Sequence, residues 1–387
     1  MLSSKKIRSG LIFSLVLAIV VMTAIALYGD LPQMVRVLAR FRWEFLPLIL
    51  GLALYNYFWR FLKWQYYLRR LRIRIDWRKS LLIFISGLSM AITPGKVGEL
   101  LKCYLLKRST GEPISRTSPI VMAERLTDGI AMLGLSATGL ILYRYGVELL
   151  LAFLVVVFIG LMIIQNRPIA LALIGYGEKL PFLFRIAHFI RTFYESSYTL
   201  LRWRPLLFAI LIGLISWLGE CGALYFVFAG LGLGFGFDLF FKATFIMAFS
   251  SLVGSATGLP GGLGTADGSM IGLMRLLVSA SATIGGAATL LIRLCTLWFG
   301  LGLGVIALII LRSTQSLNIR EEDKLVPVHL ADDAGRSGET NGDGVLLQEE
   351  EGQEEQEVDN TGIVPTGGRS ADLHVASALL NTGDKGL

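Results

Sequence analysis

Six stretches of this sequence stay mostly apolar for the 20 or so residues that a membrane helix needs. They lie near residues 10–28, 45–62, 119–143, 147–164, 206–229 and 286–311. Two more, near 81–106 and 240–278, are as apolar but interrupted by Gly and Pro. Composition points the same way. The 387 residues are 54% hydrophobic and 17% charged, against about a quarter charged in soluble domains. A soluble enzyme is excluded, and a polytopic, all-helical membrane protein is expected.

The net charge of +7 hides a division. From Arg312 to Leu387 there are 16 acids and 6 bases, a net of −10, which leaves +17 on the rest of the chain. A basic membrane body does not imply nucleic acid as a partner, because cytoplasmic loops are basic for orientation. The expected organisation is a membrane domain over 1–314 and an acidic tail over 315–387. The tail has few aromatics and a QEEEGQEEQEVD run, and should be disordered.

Placement of Lys and Arg sets the topology. Lys5, Lys6 and Arg8 precede the first apolar segment, which carries Ala24-Ile25-Ala26 and reads as a retained signal-anchor rather than a cleaved peptide. Arg60, Lys63, Arg69, Arg70, Arg72, Arg74, Arg78 and Lys79 follow the second segment and mark a cytoplasmic loop. A second such loop lies between about 165 and 204. Both termini then face the cytoplasm, provided that each broken segment enters and leaves on one side. Trp59, Trp64, Tyr66, Tyr67 and Trp77 interleave with the first basic group as an aromatic belt, or as an interfacial helix for anionic headgroups.

The two broken segments resemble each other. Pro94-Gly95-x-Val97-Gly98 matches Pro260-Gly261-x-Leu263-Gly264, and an Arg follows in an apolar helix 31 residues after Pro94 (Arg125) and 33 after Pro260 (Arg293). Pro removes a backbone donor and ends the preceding helix, while Gly admits conformations other residues avoid. Such a break is tolerable at membrane depth only in protein or in a wet cavity. Each is therefore expected to be the tip of a re-entrant hairpin, with helices starting near Val97 and Thr265 whose N-terminal amides could hold an anion. The first hairpin enters from the cytoplasmic side and the second from outside. The fold class expected is thus an all-α integral membrane protein with six full spans plus two re-entrant Pro-Gly hairpins in an inverted repeat (about 81–143 and 240–311). Simple hydropathy would give eight spans. Paired broken segments point to a transporter's central binding site.

Ionisable residues at depth are costly and mark candidate sites. Here they are Lys96, Glu99 and Lys102; Glu124, Arg125 and Asp128; Glu220; Asp267 and Arg275; and Arg293. Arg125 and Arg293, with Lys96, suit a phosphate, which a guanidinium fork matches. Glu99 and Asp267 could meet a cationic headgroup, couple a proton or neutralise the arginines. Glu124 and Asp128 share a helix face, placed to pair with Lys96 or Arg293. The hairpin tips are Thr93, Pro94, Gly95 and Gly98 in the first repeat, and Pro260, Gly261, Gly262 and Gly264 in the second.

No cofactor or metal is expected. His188, His329 and His374, and Cys103, Cys221 and Cys295, lack metal or redox spacing. The GLPGGLG stretch lacks the Gly-Lys-Ser/Thr of a phosphate-binding loop.

At TPGKVGELLKCYLLKR, AERLTD and GLPGGLGTADG, over roughly residues 10–311, the sequence resembles the flippase-like family named for the transmembrane domain of lysylphosphatidylglycerol synthase. That family includes archaeal proteins associated with dolichol-linked glycosylation. The resemblance implies movement of phosphate-bearing lipids between leaflets, with functional weight on the matched residues. The expected function is a non-enzymatic lipid flippase of the bacterial cytoplasmic membrane, its substrate a phospholipid or a polyprenyl-phosphate-linked lipid. The alternatives are an integral-membrane glycosyl- or aminoacyl-transfer component using Glu99 with Asp128, and a scaffold that holds a lipid- or glycan-modifying enzyme through the acidic tail.

Overall fold

In the computed structural model the described residues are 30–93, 98–143 and 187–325, with isolated helical positions at 20–23 and 151–168. The expected first and fourth spans fall largely outside them, as do Pro94, Gly95, Lys96 and Val97 of the first tip and the tail beyond residue 325. Among the described residues every regular element is helical and no strand occurs.

The helices are α1 (Leu31–Ala39), α2 (Leu46–Arg70), α3 (Trp77–Leu88), α4 (Leu101–Thr110), α5 (Ile114–Tyr143), α6 (Ala187–Leu201), α7 (Trp203–Gly230), α8 (Phe237–Ala256), α9 (Thr265–Leu277), α10 (Ala282–Arg293) and α11 (Phe299–Leu325). Among the described residues four helical stretches are long and apolar enough to cross a membrane: Trp43–Arg70, Trp203–Gly230, Phe237–Ala256 and Ala282–Leu311. Helix α5, at 30 residues, is about 45 Å long and carries Glu124, Arg125 and Asp128 near its middle. The last helix continues eleven residues into the segment expected to begin the tail.

Local chemistry explains the ends. Asp76 caps α3 by accepting from the amides of Arg78 (3.0 Å) and Lys79 (3.3 Å). Gly111, at φ 77°, closes α4 in the left-handed conformation that lets its amide reach Lys107 O at 2.8 Å. The first broken segment is two short arms, α3 and α4, which pack on each other. At 12 and 10 residues they are about 18 and 15 Å long, roughly half the hydrocarbon core. The second is unequal: α8 is about 30 Å and α9 about 20 Å.

Helices α2 and α7 pack antiparallel. The Arg42 amide, ahead of α2, donates to Gly230 O at the far end of α7. Midway, Asn56 Nδ2 donates to Ser216 O (3.0 Å) and Ser216 Oγ to Asn56 O (3.1 Å). Two apolar clusters sit at opposite ends of α2. One holds Ile49 with Leu224, Phe228, Ile246 and Met270; the other holds Trp64, Tyr67 and Leu68 with Phe84, Leu106 and Ile120. The outer faces remain apolar, as at Phe58, Leu211 and Ile309, which suits lipid.

Candidate functional site

The second tip is fully described. Pro260–Gly262 forms a single 3-10 turn, with Gly261 at φ 61°, Gly262 at φ 67° and Gly264 at φ 83°. A side chain at any of these would be strained, so the glycines the sequence singled out are required by the turn. Helix α9 starts at Thr265 as expected. Its free amide end is already occupied, because Asp267 Oδ2 accepts from Gly264 N at 2.8 Å. The negative carboxylate sits where a helix end favours it, which leaves less of that terminus for an outside anion. Asp267 Oδ1 also takes Arg293 Nε at 2.5 Å, and Arg293 donates through Nη1 to Gly261 O (3.1 Å) and through Nη2 to Gly262 O (3.5 Å). Arg293 therefore fastens the tip to α10.

In the first repeat, Thr93 Oγ1 accepts from Gly98 N at 2.8 Å, and a 3-10 turn over Gly98–Leu100 delays the α-helix to Leu101. Glu99 stands just past the tip, as Asp267 does in the second repeat. Arg125 Nε lies 3.3 Å from Glu99, and Arg125 Nη2 lies 3.2 Å from Asp128. The expected correspondence of Arg125 with Arg293 thus extends to their acids: each arginine meets the carboxylate that follows its own tip.

The first-repeat cluster then widens. Lys102 pairs with Glu124 at 2.5 Å, its ammonium 4.9 Å from the centre of the Trp64 ring. Lys63 pairs with Asp128, each 1% exposed, and Tyr67 and Lys63 both reach Thr127 Oγ1. Glu124 and Asp128 do share a face, but their cations are Lys102 and Lys63 rather than Arg293. Lys96 lies outside the described residues, and Arg275 is exposed on α9.

Lys63 and Arg60 belong to the group assigned to orientation, yet both face inward. The signal was a spacing: Ile49, Ala53, Asn56, Arg60, Lys63 and Tyr67 follow one another by four, three, four, three and four residues, which is one helix stripe. Ile49, Ala53, Asn56, Lys63 and Tyr67 are buried and Arg60 is half-buried.

Both repeats open on one cavity of about 150 Å³. Its wall includes Arg60, Lys102, Arg125 and Arg293 as cations and Glu99 and Glu220 as acids, with Gly261 and Gly262 from the second tip. Glu124, Asp128 and Asp267 are absent from that wall and stand behind the cations they neutralise. The arrangement gathers fixed cations around one partly open space, a setting that suits an oxygen-rich ligand group. Among the described residues no group of His, Cys, Asp and Glu is set to hold a metal ion.

Comparison with known proteins now bears on this geometry. A UPF0104 membrane protein of Methanothermobacter thermautotrophicus is 35% identical over 97 residues, which is 25% of this chain and 28% of that relative. A second match among that organism's UPF0104 membrane proteins is 25% identical over 274 residues, covering 64% of this chain and 79% of the relative. A UPF0104 membrane protein of Methanocaldococcus jannaschii is 26% identical over 199 residues, or 48% of this chain and 78% of the relative. These relatives are archaeal membrane proteins, and with the apolar helices they make this a multi-pass membrane protein. The family model described as the lysylphosphatidylglycerol synthase TM region matches residues 11–304, so the chain belongs to that family.

Proposed function

We propose that the protein is a lipid flippase that moves a phosphate-bearing lipid between leaflets, without catalysing a chemical reaction. One observation carries this reading: a single cavity lined by ion-paired residues of both repeats, with cations on its wall and their acids behind. A headgroup phosphate would meet fixed donors there, while the acyl chains stay among the outward apolar side chains. The size suits a headgroup rather than a whole lipid, since sites that enclose drug-sized ligands run from roughly 300 Å³ upward. The short arms α3 and α4 support a first hairpin that returns to its own side of the membrane. The basic run from Arg69 to Lys79 supports placing that side in the cytoplasm.

The test is reconstitution in vesicles with fluorescent phospholipid and polyprenyl-phosphate probes. Wild type should accelerate leaflet exchange of at least one, and Arg125→Ala should lose that acceleration. No acceleration by wild type across the panel would sink the proposal. A chain ending at Val326 should keep the activity. If it instead loses only an associated enzyme, the scaffold reading takes over. Turnover of a labelled sugar or aminoacyl donor, lost in Glu99→Gln, would favour transfer chemistry.

A further inference from the structure

Four cations line the cavity among the described residues, and three of them are neutralised in place: Lys102 by Glu124, Arg125 by Glu99 and Asp128, and Arg293 by Asp267. Arg60, the fourth, makes no hydrogen bond or ion pair with any described residue. It lies ten residues before Arg70, about 15 Å deeper along α2 than the exposed Arg69 and Arg70 that mark the helix end. Orientation charge needs no such depth. A guanidinium is donor-only and stays charged, so Arg60 on the cavity wall is open to an acceptor.

A second unmet donor shares the wall. Trp217, on α7, is buried and lines the cavity, and its indole Nε1 has no hydrogen-bond partner among the described residues. A buried donor left unmatched is costly. Arg125 adds to the set: its Nε and Nη2 are buried, and their ion contacts with Glu99 and Asp128 do not meet hydrogen-bond geometry. Three donor-only side chains, on α2, α5 and α7, thus line one space: Trp217 and Arg125 carry buried N–H groups without hydrogen-bond partners among the described residues, and Arg60 has neither hydrogen bond nor ion pair among them. A phosphate ester, with several acceptor oxygens and a negative charge, answers all three.

We infer that Arg60 and Trp217, both outside the two repeats, are anion-contacting residues of this site, with Arg60 supplying the charge and Trp217 an indole N–H to the same phosphate oxygens. This rests on the flippase reading and adds the residues that would select phosphate over an uncharged headgroup.

The test is equilibrium binding to the purified full chain in micelles. The probes are fluorescent phosphatidylglycerol, the matching fluorescent diacylglycerol and inorganic phosphate. Wild type should prefer phosphatidylglycerol to diacylglycerol. Arg60→Gln should weaken phosphatidylglycerol binding about tenfold or more and flatten its salt dependence, with Arg60→Lys intermediate. Trp217→Phe should weaken it roughly threefold. Diacylglycerol binding and the thermal midpoint should hold in these variants, and Arg69→Gln should match wild type throughout. If wild type prefers phosphatidylglycerol and both Arg60→Gln and Trp217→Phe keep that preference in full, the assignment of these residues is overturned and the flippase reading survives. If wild type shows no preference, both fall. If inorganic phosphate binds in an Arg60-dependent way while phosphatidylglycerol does not, the anion contact stands and the lipid source is overturned.

Discussion

Arg293 and Arg125 hold equivalent places in the two repeats but have different surroundings. Arg293 is bound by Asp267 and by two carbonyls of its own tip, and Asp267 also caps the helix that follows. Its donors are turned on the chain itself. Arg125 is shared between Glu99 and Asp128 at distances over 3 Å, without hydrogen-bond geometry, and Asp128 is held in turn by Lys63 from another helix. The second half fixes a loop with its arginine. The first half keeps its arginine in place by charge and leaves N–H bonds unmet. Repetition of a motif therefore does not carry equal function, and the half with unsatisfied donors is the one to question about ligands.

The largest effect should come from the first half's innermost pair. Removing Asp128 would strand the Lys63 ammonium where neither residue is more than 1% exposed. Asp128→Ala should cost about 3–5 kcal/mol, read by unfolding in mixed micelles, whereas the double change Lys63→Met with Asp128→Leu should recover most of it. A small loss for Asp128→Ala would mean that the pair is wet and that the contrast between the halves is overdrawn.

Next is Asp267→Asn in the second half. The amide oxygen can still accept from Gly264 N, and Arg293 keeps its two carbonyls, so the cost should be roughly 1–3 kcal/mol. Leaflet exchange should persist once the variant is folded, because this pair acts on the tip and not on a ligand. Exchange abolished in a chain of unchanged thermal midpoint would assign Asp267 to the substrate instead.

Glu99→Gln separates the halves from the other side. Glu99 lines the cavity and attracts Arg125 without a well-formed hydrogen bond. Neutralising it should leave Arg125 with more of its charge for an anion. Binding of fluorescent phosphatidylglycerol should tighten roughly threefold to tenfold, measured by titration. Weaker binding would show that Glu99 orients Arg125, as Asp267 does Arg293.

The features legible in the sequence were local ones. Pro260 followed by three glycines within four residues could only be a break, and the positive φ values at Gly261, Gly262 and Gly264 are its direct consequence. Arg125 and Arg293 were conspicuous because charge is rare in apolar helices. The unequal arms were not legible, because hydropathy does not distinguish α8, which is long enough to cross, from α3, which is not. Lys63 was hidden for another reason. Its partner Asp128 is 65 positions away, and its neighbours Arg69, Arg70 and Arg72 supply a sufficient account of basic charge. Only the stripe through Asn56 and Tyr67 gave its direction, and Trp217, one aromatic among many, gave none.

A neutral polar contact supplies the baseline for these charges. Asn56 and Ser216 each donate from the side chain to the other's backbone carbonyl, at 3.0 and 3.1 Å, across the α2–α7 interface that both halves share. Polar contacts between membrane helices average about 0.6 kcal/mol, because the separated helices find other partners. Asn56→Ala and Ser216→Ala should each cost about that much in micelle unfolding. The two should also add nearly without coupling, since neither change deletes the acceptor the other side chain uses. A coupling as large as the individual losses would mean that the two bonds form as one unit. The interface beside the cavity would then be stiffer than its single contacts imply, and part of the Asp128→Ala loss would belong to that interface rather than to the stranded charge.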